Sequence, residues 1–277
     1  MSWIITGEQV NPAGDAQITY GITSTGGVFN LRSFGTVDYE VEWGDGTVER
    51  STSNVLAHTY AAGSYVLKIR TAQQYVPYFN NSTDEDQITS VALVSDLDVG
   101  TNLTSAWYGA NNMTDFNAAF GVTAGVTNFD NAWRDCASFT SFPLIDTSSG
   151  TNFTATWYNC SSLTSFPVLD TSSGTNFSLT WFGCNQLTDF PANFFDNWTG
   201  TPANNCFGNT WFGCASLTAT SVENILNSID TSGQSAPASG VDITISYNAA
   251  SGTPNISTAV SNLKSRNWTI TLNGVLQ

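Results

Sequence analysis

Charge is scarce in this chain: only 10% of its 277 residues are Asp, Glu, Lys or Arg, against roughly a quarter in an ordinary soluble domain. Long surface helices laced with ion pairs are therefore not expected. Ser, Thr, Asn and Gly fill the gaps between apolar residues instead, a composition that suits turns and β-structure, where short polar side chains bond local backbone. Basic residues are scarcer still, seven against 22 acidic ones, for a net charge of −15. A field of that sign repels phosphate backbones and anionic lipid headgroups, so nucleic acid is not an expected partner. No apolar run approaches the length of a membrane span, and no membrane insertion is expected. The opening residues Met1, Ser2, Trp3, Ile4, Ile5, Thr6, Gly7 and Glu8 lack the basic and apolar regions of a secretory signal. Read as the native start, they encode no export by the usual route; a processed chain reads the same apart from its leading Met.

There is a single histidine, His58. A catalytic imidazole needs an orienting carboxylate and a nucleophile, and the sequence supplies no such set, so a turn-stabilising role is expected. No Asp/Glu pair stands out as the two carboxylates of a glycosidase, which leaves a carbohydrate-active enzyme as a remote alternative. The five cysteines, Cys136, Cys160, Cys184, Cys206 and Cys214, are odd in number and confined to the second half. Neither a dense disulfide framework nor a zinc site closed around one point follows from them. The expectation is a chain with no catalytic residues, no cofactor and no metal. With 41% apolar residues it has ample material for a core.

The N-terminal part offers short alternating segments. In Val37, Asp38, Tyr39, Glu40, Val41, Glu42 and Trp43 the apolar residues fall on one face and the acidic ones on the other, the pattern of a half-buried strand. Ile18 to Tyr20 and Tyr65 to Ile69 read likewise. The middle segment ends in Gly44, Asp45, Gly46 and Thr47, where glycines permit positive φ and the Asp accepts from the turn's own amides. Turn capping by Asp45 is preferred to calcium binding. Trp43-Gly44-Asp45-Gly46-Thr47, with Ala57-His58-Thr59-Tyr60 and Gly63-Ser64-Tyr65-Val66-Leu67-Lys68-Ile69 after it, resembles the polycystic-kidney-disease (PKD) domain family. That resemblance implies an immunoglobulin-like β-sandwich used as a spacer or adhesion module. The acidic run Asp84, Glu85 and Asp86, after Asn80, Asn81, Ser82 and Thr83, reads as a solvated linker.

The second part repeats. Asn128-Phe129, Trp133 and Cys136 recur as Asn152-Phe153, Trp157 and Cys160, then as Asn176-Phe177, Trp181 and Cys184, each step being 24 residues. The step to Trp211 and Cys214 is 30, which places an insertion near residues 197–202. A less regular unit runs through Asn102, Leu103, Trp107, Met113 and Phe116. Each unit is expected to hold a helical turn carrying Phe and Trp on one face, then Cys, a short strand such as 163–167, and an Asp-Thr-Ser turn at Asp146 or Asp170. These turn aspartates are expected to cap backbone and not to ligate calcium. One unit cannot close a core, but stacked units can.

These units resemble the BspA-like leucine-rich-repeat family, with Phe and Trp where Met and Phe are usual. The resemblance implies a surface protein of bacteria, protists or phages that binds proteins, glycans or cell surfaces. After it come an amphipathic helix over 221–229, a strand over 242–247, a helix near 256–263 and a strand over 268–272, read as a terminal cap.

The expected fold class is therefore mainly β with short helices: an N-terminal β-sandwich, a leucine-rich-repeat solenoid and a C-terminal α/β cap. The boundaries are 1–79 for the PKD-like sandwich, 80–100 for a linker and first solenoid strand, 101–230 for the solenoid and 231–277 for the cap. Trp133, Trp157, Trp181 and Trp211 are expected in the core. Tyr158, Phe182 and Phe212 directly follow three of them, face another direction, and are the candidate surface-binding residues. The expected function is that of a non-enzymatic virion structural or surface protein of tail-fibre, receptor-binding or capsid-decorating type, with a bacterial cell-surface adhesin as the alternative. Expected partners are other virion or surface proteins, a host surface protein or glycan, and further copies of the chain.

Overall fold

The computed structural model describes residues 17–35, 37–79, 84–94, 97–237 and 241–277. The readings of the first eight residues and of Asn80, Asn81, Ser82 and Thr83 fall outside them. Strands β1 (Ile18–Arg32) and β4 (Val55–Thr71) form one long antiparallel ribbon, from Ile18 opposite Ile69 to Arg32 opposite Val55. Beside β4 lie β2 (Tyr39–Glu42) and then β3 (Val48–Ser51); beside β1 lies β5 (Ile88–Leu93), and parallel to it β6 (Asp115–Ala118). Alternation explains β2 and its flanks. Val37, Tyr39, Val41 and Trp43 are buried, while Asp38, Glu40 and Glu42 stay half-exposed beside Arg50 and Arg70. After Trp43 the chain needs glycine: Gly44 has φ +85°, and a Cβ there would meet Val66 backbone at 2.6 Å.

The expected two-layer sandwich is corrected here. The strands form a single six-stranded sheet in the order β3-β2-β4-β1-β5-β6, and its last strand comes from the repeat region. The reason is the length of the ribbon: 15 and 17 residues give both partners outer edges long enough for β2 to join β4 and β5 to join β1, and β3 and β6 then extend the sheet beyond them. The acidic run is not a solvated linker either. Residues Glu85–Gln87 make a 3₁₀ turn in which Asp84 and Glu85 are buried; Asp84 accepts from Asn30 (2.9 Å) and lies 3.5 Å from Arg32.

The expected leucine-rich-repeat solenoid is also corrected: the described repeats form no closed solenoid, and the regular strands belong to two sheets, the six-stranded one and a three-stranded one near the C-terminus. No helical turn carries Phe153 and Trp157, because Ala155 (φ 50°) and Asn159 (φ 56°) are left-handed, as are Asn131, Asp135, Leu179 and Gly183 at equivalent places. The intended strand shrinks to single bridges, Ser141 to Ser165 to Asp189. Proline explains this, since Pro143, Pro167 and Pro191 stand two residues further on without an N–H to continue the ladder.

What joins the repeats is a different ribbon. The amides of Phe153, Ala155, Trp157 and Asn159 donate to the carbonyls of Asn176, Ser178, Thr180 and Phe182 in the next repeat, at 2.7 to 2.9 Å. The intervening amides of Thr156, Tyr158 and Cys160 turn back three residues, to Phe153, Ala155 and Trp157. Equivalent four-bond ribbons link Leu103 through Gly109 to the second repeat, Phe129 through Asp135 to the third, and Phe177 through Gly183 to the fifth. Inside, Trp107, Trp133, Trp157, Trp181 and Trp211 stack at centroid spacings of 5.3, 5.8, 5.7 and 5.8 Å. Each ladder cysteine donates its thiol to the Trp carbonyl of the preceding repeat, from Cys136 to Trp107 (3.3 Å) through Cys214 to Trp181 (3.0 Å). Ala110 holds that place in the first repeat.

Helix α1 (Ala219–Ser232) starts on the Thr218 hydroxyl, which accepts from the Ser221 amide, and ends at left-handed Gly233. Its Ser221, Asn224 and Ser228 take up backbone groups of Thr188, Phe190 and Phe195 that the next repeat would otherwise hold. Strands β7 (Val241–Ile245), β8 (Trp268–Leu272) and β9 (Val275–Leu276) form the smaller sheet, with helix α2 (Ser257–Ser265) crossing between β7 and β8. Ile245 bridges Trp211, which joins this sheet to the last repeat.

Candidate recognition surface

The residue after each stacked Trp has nowhere inward to go. Its backbone is pinned on both sides by the ribbon: the carbonyls of Arg134, Tyr158, Phe182 and Phe212 accept from Gly109, Asp135, Asn159 and Gly183 of the preceding repeat. Side chains at these positions therefore leave the stack in register on one flank. Tyr158 lies on Phe182 with ring centroids 4.7 Å apart and planes 2° from parallel, and Phe182 on Phe212 at 5.4 Å and 22°. The structure thus brings Tyr158, Phe182 and Phe212 together as one row. It adds two residues the sequence reading missed. Arg134 lies over the Tyr158 ring at 4.3 Å and over the Tyr108 ring at 5.2 Å, so a planar guanidinium takes the place of a ring. The signal was present, since Tyr108 and Arg134 also directly follow a ladder Trp, but one unit is irregular and the other residue is not aromatic.

Arg134 is held in that plane by a hydrogen bond to Asn131 Oδ1 (3.1 Å) and an ion pair with Asp135 (3.5 Å). Burial raises the carboxyl pKa of neighbouring Asp130, which donated bonds from Asn131 only partly offset. In the next rank, Asn159 donates to Asp135 (3.0 Å), while Gly183 and Gly213 supply the left-handed backbone that Asp135 and Asn159 adopt less easily.

Stacking redistributes what the row can offer. The faces of Arg134, Tyr158 and Phe182 are covered by their neighbours, so their edges look outward. Phe212 is different: it is 48% exposed, and no ring among the described residues lies on its far side.

The other candidates fall into structural places. His58 Nε2 lies 2.8 Å from Asp45 and its ring stacks on Trp43 at 4.4 Å. Asp45 accepts from the Thr47 hydroxyl and amide, which with His58 hold its carboxyl down at about 2. Asp146 and Asp170 each accept the amide two residues on, from Ser148 and Ser172. Among the described residues no group of three His, Cys, Asp or Glu is placed to hold a metal ion, and no helix is long and apolar enough to cross a membrane. All five cysteines are buried and unbridged, and burial pushes the Cys206 and Cys214 thiols up to about 12. No family model, curated protein or solved structure matches the chain.

Proposed function

We propose that the chain is a non-enzymatic surface protein of a virion, of tail-fibre, receptor-binding or capsid-decorating type, that acts in host recognition or assembly. The observation that carries this reading is the row from Tyr108 to Phe212. Five planar side chains held in register by backbone bonds form a pre-ordered contact strip, and ordered aromatics give large contact area at little entropic cost. The strongly acidic composition, which disfavours nucleic acid as a partner, accords with the same reading.

Two measurements test it. Mass spectrometry of purified particles from a lysate that expresses the chain finds it at stoichiometric level; its absence from particles, with recovery in the cell envelope, overturns the virion reading in favour of an adhesin. The Tyr158→Ala, Phe182→Ala, Phe212→Ala triple variant loses host-cell binding while staying cooperatively folded, at a melting temperature lowered by the lost stacking, and keeping its oligomeric state; unchanged binding removes the strip from the mechanism.

A further inference from the structure

Beyond Phe212 the row stops for a definable reason. The bridge from Trp211 to Ile245 sets Ser246 opposite Phe212, where a sixth planar side chain would continue the stack. Ser246 is too small to cover a ring, and its hydroxyl is already engaged with the Gly213 amide at 3.0 Å. The outer face of Phe212 is thus an uncovered π surface, at the end of a stack whose spacing and tilt are fixed by four ribbons of backbone bonds. We propose that this face is a stacking subsite for one ring of an uncharged glycan, a refinement that rests on the recognition reading above.

Three features favour a pyranose over other occupants. A pyranose has one face of C–H groups that lies flat on an aromatic face and a rim of hydroxyls, so it needs a single exposed ring among small polar neighbours. Phe212 is followed by Gly213 and faces Ser246, whose hydroxyl takes the Gly213 amide, so small polar groups adjoin the ring. The net charge of −15 disfavours sialylated, sulfated or uronic-acid glycans. The nearest cation of the row, Arg134, is already occupied by Asp135 and two tyrosines.

The test is an array of neutral oligosaccharides of glucose, galactose, mannose and N-acetylhexosamines, probed with the full chain and followed by saturation-transfer NMR on the bound sugars. Wild type binds neutral and not acidic glycans. Phe212→Ala lowers the signal about tenfold or more while the protein stays folded, its melting temperature falling no further than the loss of one stacking contact explains, and Phe212→Trp retains it. Failure of wild type to bind any neutral glycan, or binding indifferent to Phe212→Ala, overturns the subsite. If the triple variant still abolishes host binding in that case, the contact strip stands and its occupant is not a sugar stacked on Phe212.

Discussion

At the scale of single residues, neighbours in sequence have opposite duties. Trp157 is buried between two other indoles, whereas Tyr158 is half-exposed on the flank. Trp157→Ala is expected to cost about 3–5 kcal/mol, because one truncation leaves a cavity against both adjoining repeats. Tyr158→Ala should cost about 1 kcal/mol, on the order of one lost aromatic and one cation–π contact; denaturant titration of both variants checks the contrast, and equal small losses would reverse the assignment of faces. The five thiols should resist alkylation in the folded protein and all react after denaturation, since burial keeps them protonated and out of reach. Fewer than five on mass-spectrometric counting would mean a bridge. Asp45 gives a pH dependence whose sign is fixed. Its folded carboxyl, at about 2, lies below the ordinary 3.8, so it stabilises the fold above pH 4 and that contribution fades as pH falls toward 2. Asp45→Asn should therefore lower the melting temperature at neutral pH and flatten its decline over that interval, as thermal melts at stepped pH will reveal.

At the scale of elements, the left-handed positions separate the sequence pattern from the backbone that realises it. Asn131 and Asn209 tolerate that conformation, whereas Leu179 at the same place (φ 60°) carries a Cβ that crowds its own carbonyl. Leu179→Asn should raise stability by up to about 1 kcal/mol, and a fall in melting temperature would count against the strain. The period of 24, the inward Trp and Cys and the strand around Val41 were legible because each is a pattern of apolar spacing. The type of backbone was not legible: a spacing of four from Phe153 to Trp157 fits one helical turn as well as a left-handed kink at Ala155, and only the Asn at positions 131, 159 and 209 hinted at the latter. The sandwich was misread because alternation identifies strands but not which sheet they join. Arg134 was passed over because a guanidinium counts as charge in a sequence and as a plane in a stack.

At the scale of the whole molecule, one continuous core runs from Ile18 on β1 to Leu272 on β8. Excising a single unit, residues 152–175, should leave Phe129 free to bond Asn176 and its neighbours by the same ribbon, since the two junctions are equivalent. The shortened chain is expected to fold cooperatively with a smaller denaturant m-value, in keeping with less buried surface; loss of a cooperative transition would mean that the repeats are not interchangeable. The ribbons also share one direction. Within each of the four ribbons the linking amides point toward the C-terminal neighbour and the linking carbonyls toward the N-terminal one, as in the Phe153 to Asn176 bond, whereas the amides that open the repeats, such as Thr151 and Asn152, point back to Thr127. On a ribosome the ribbon donors of each unit therefore wait for the unit after it, while its opening amides can bond at once to the unit before. In the last unit the Gly213 amide waits for the Ser246 hydroxyl, and the Ser246 amide in turn donates back to the Trp211 carbonyl. A translational pause before residue 246 would thus hold the nascent chain with the Gly213 amide and the Trp211 carbonyl not yet paired to Ser246.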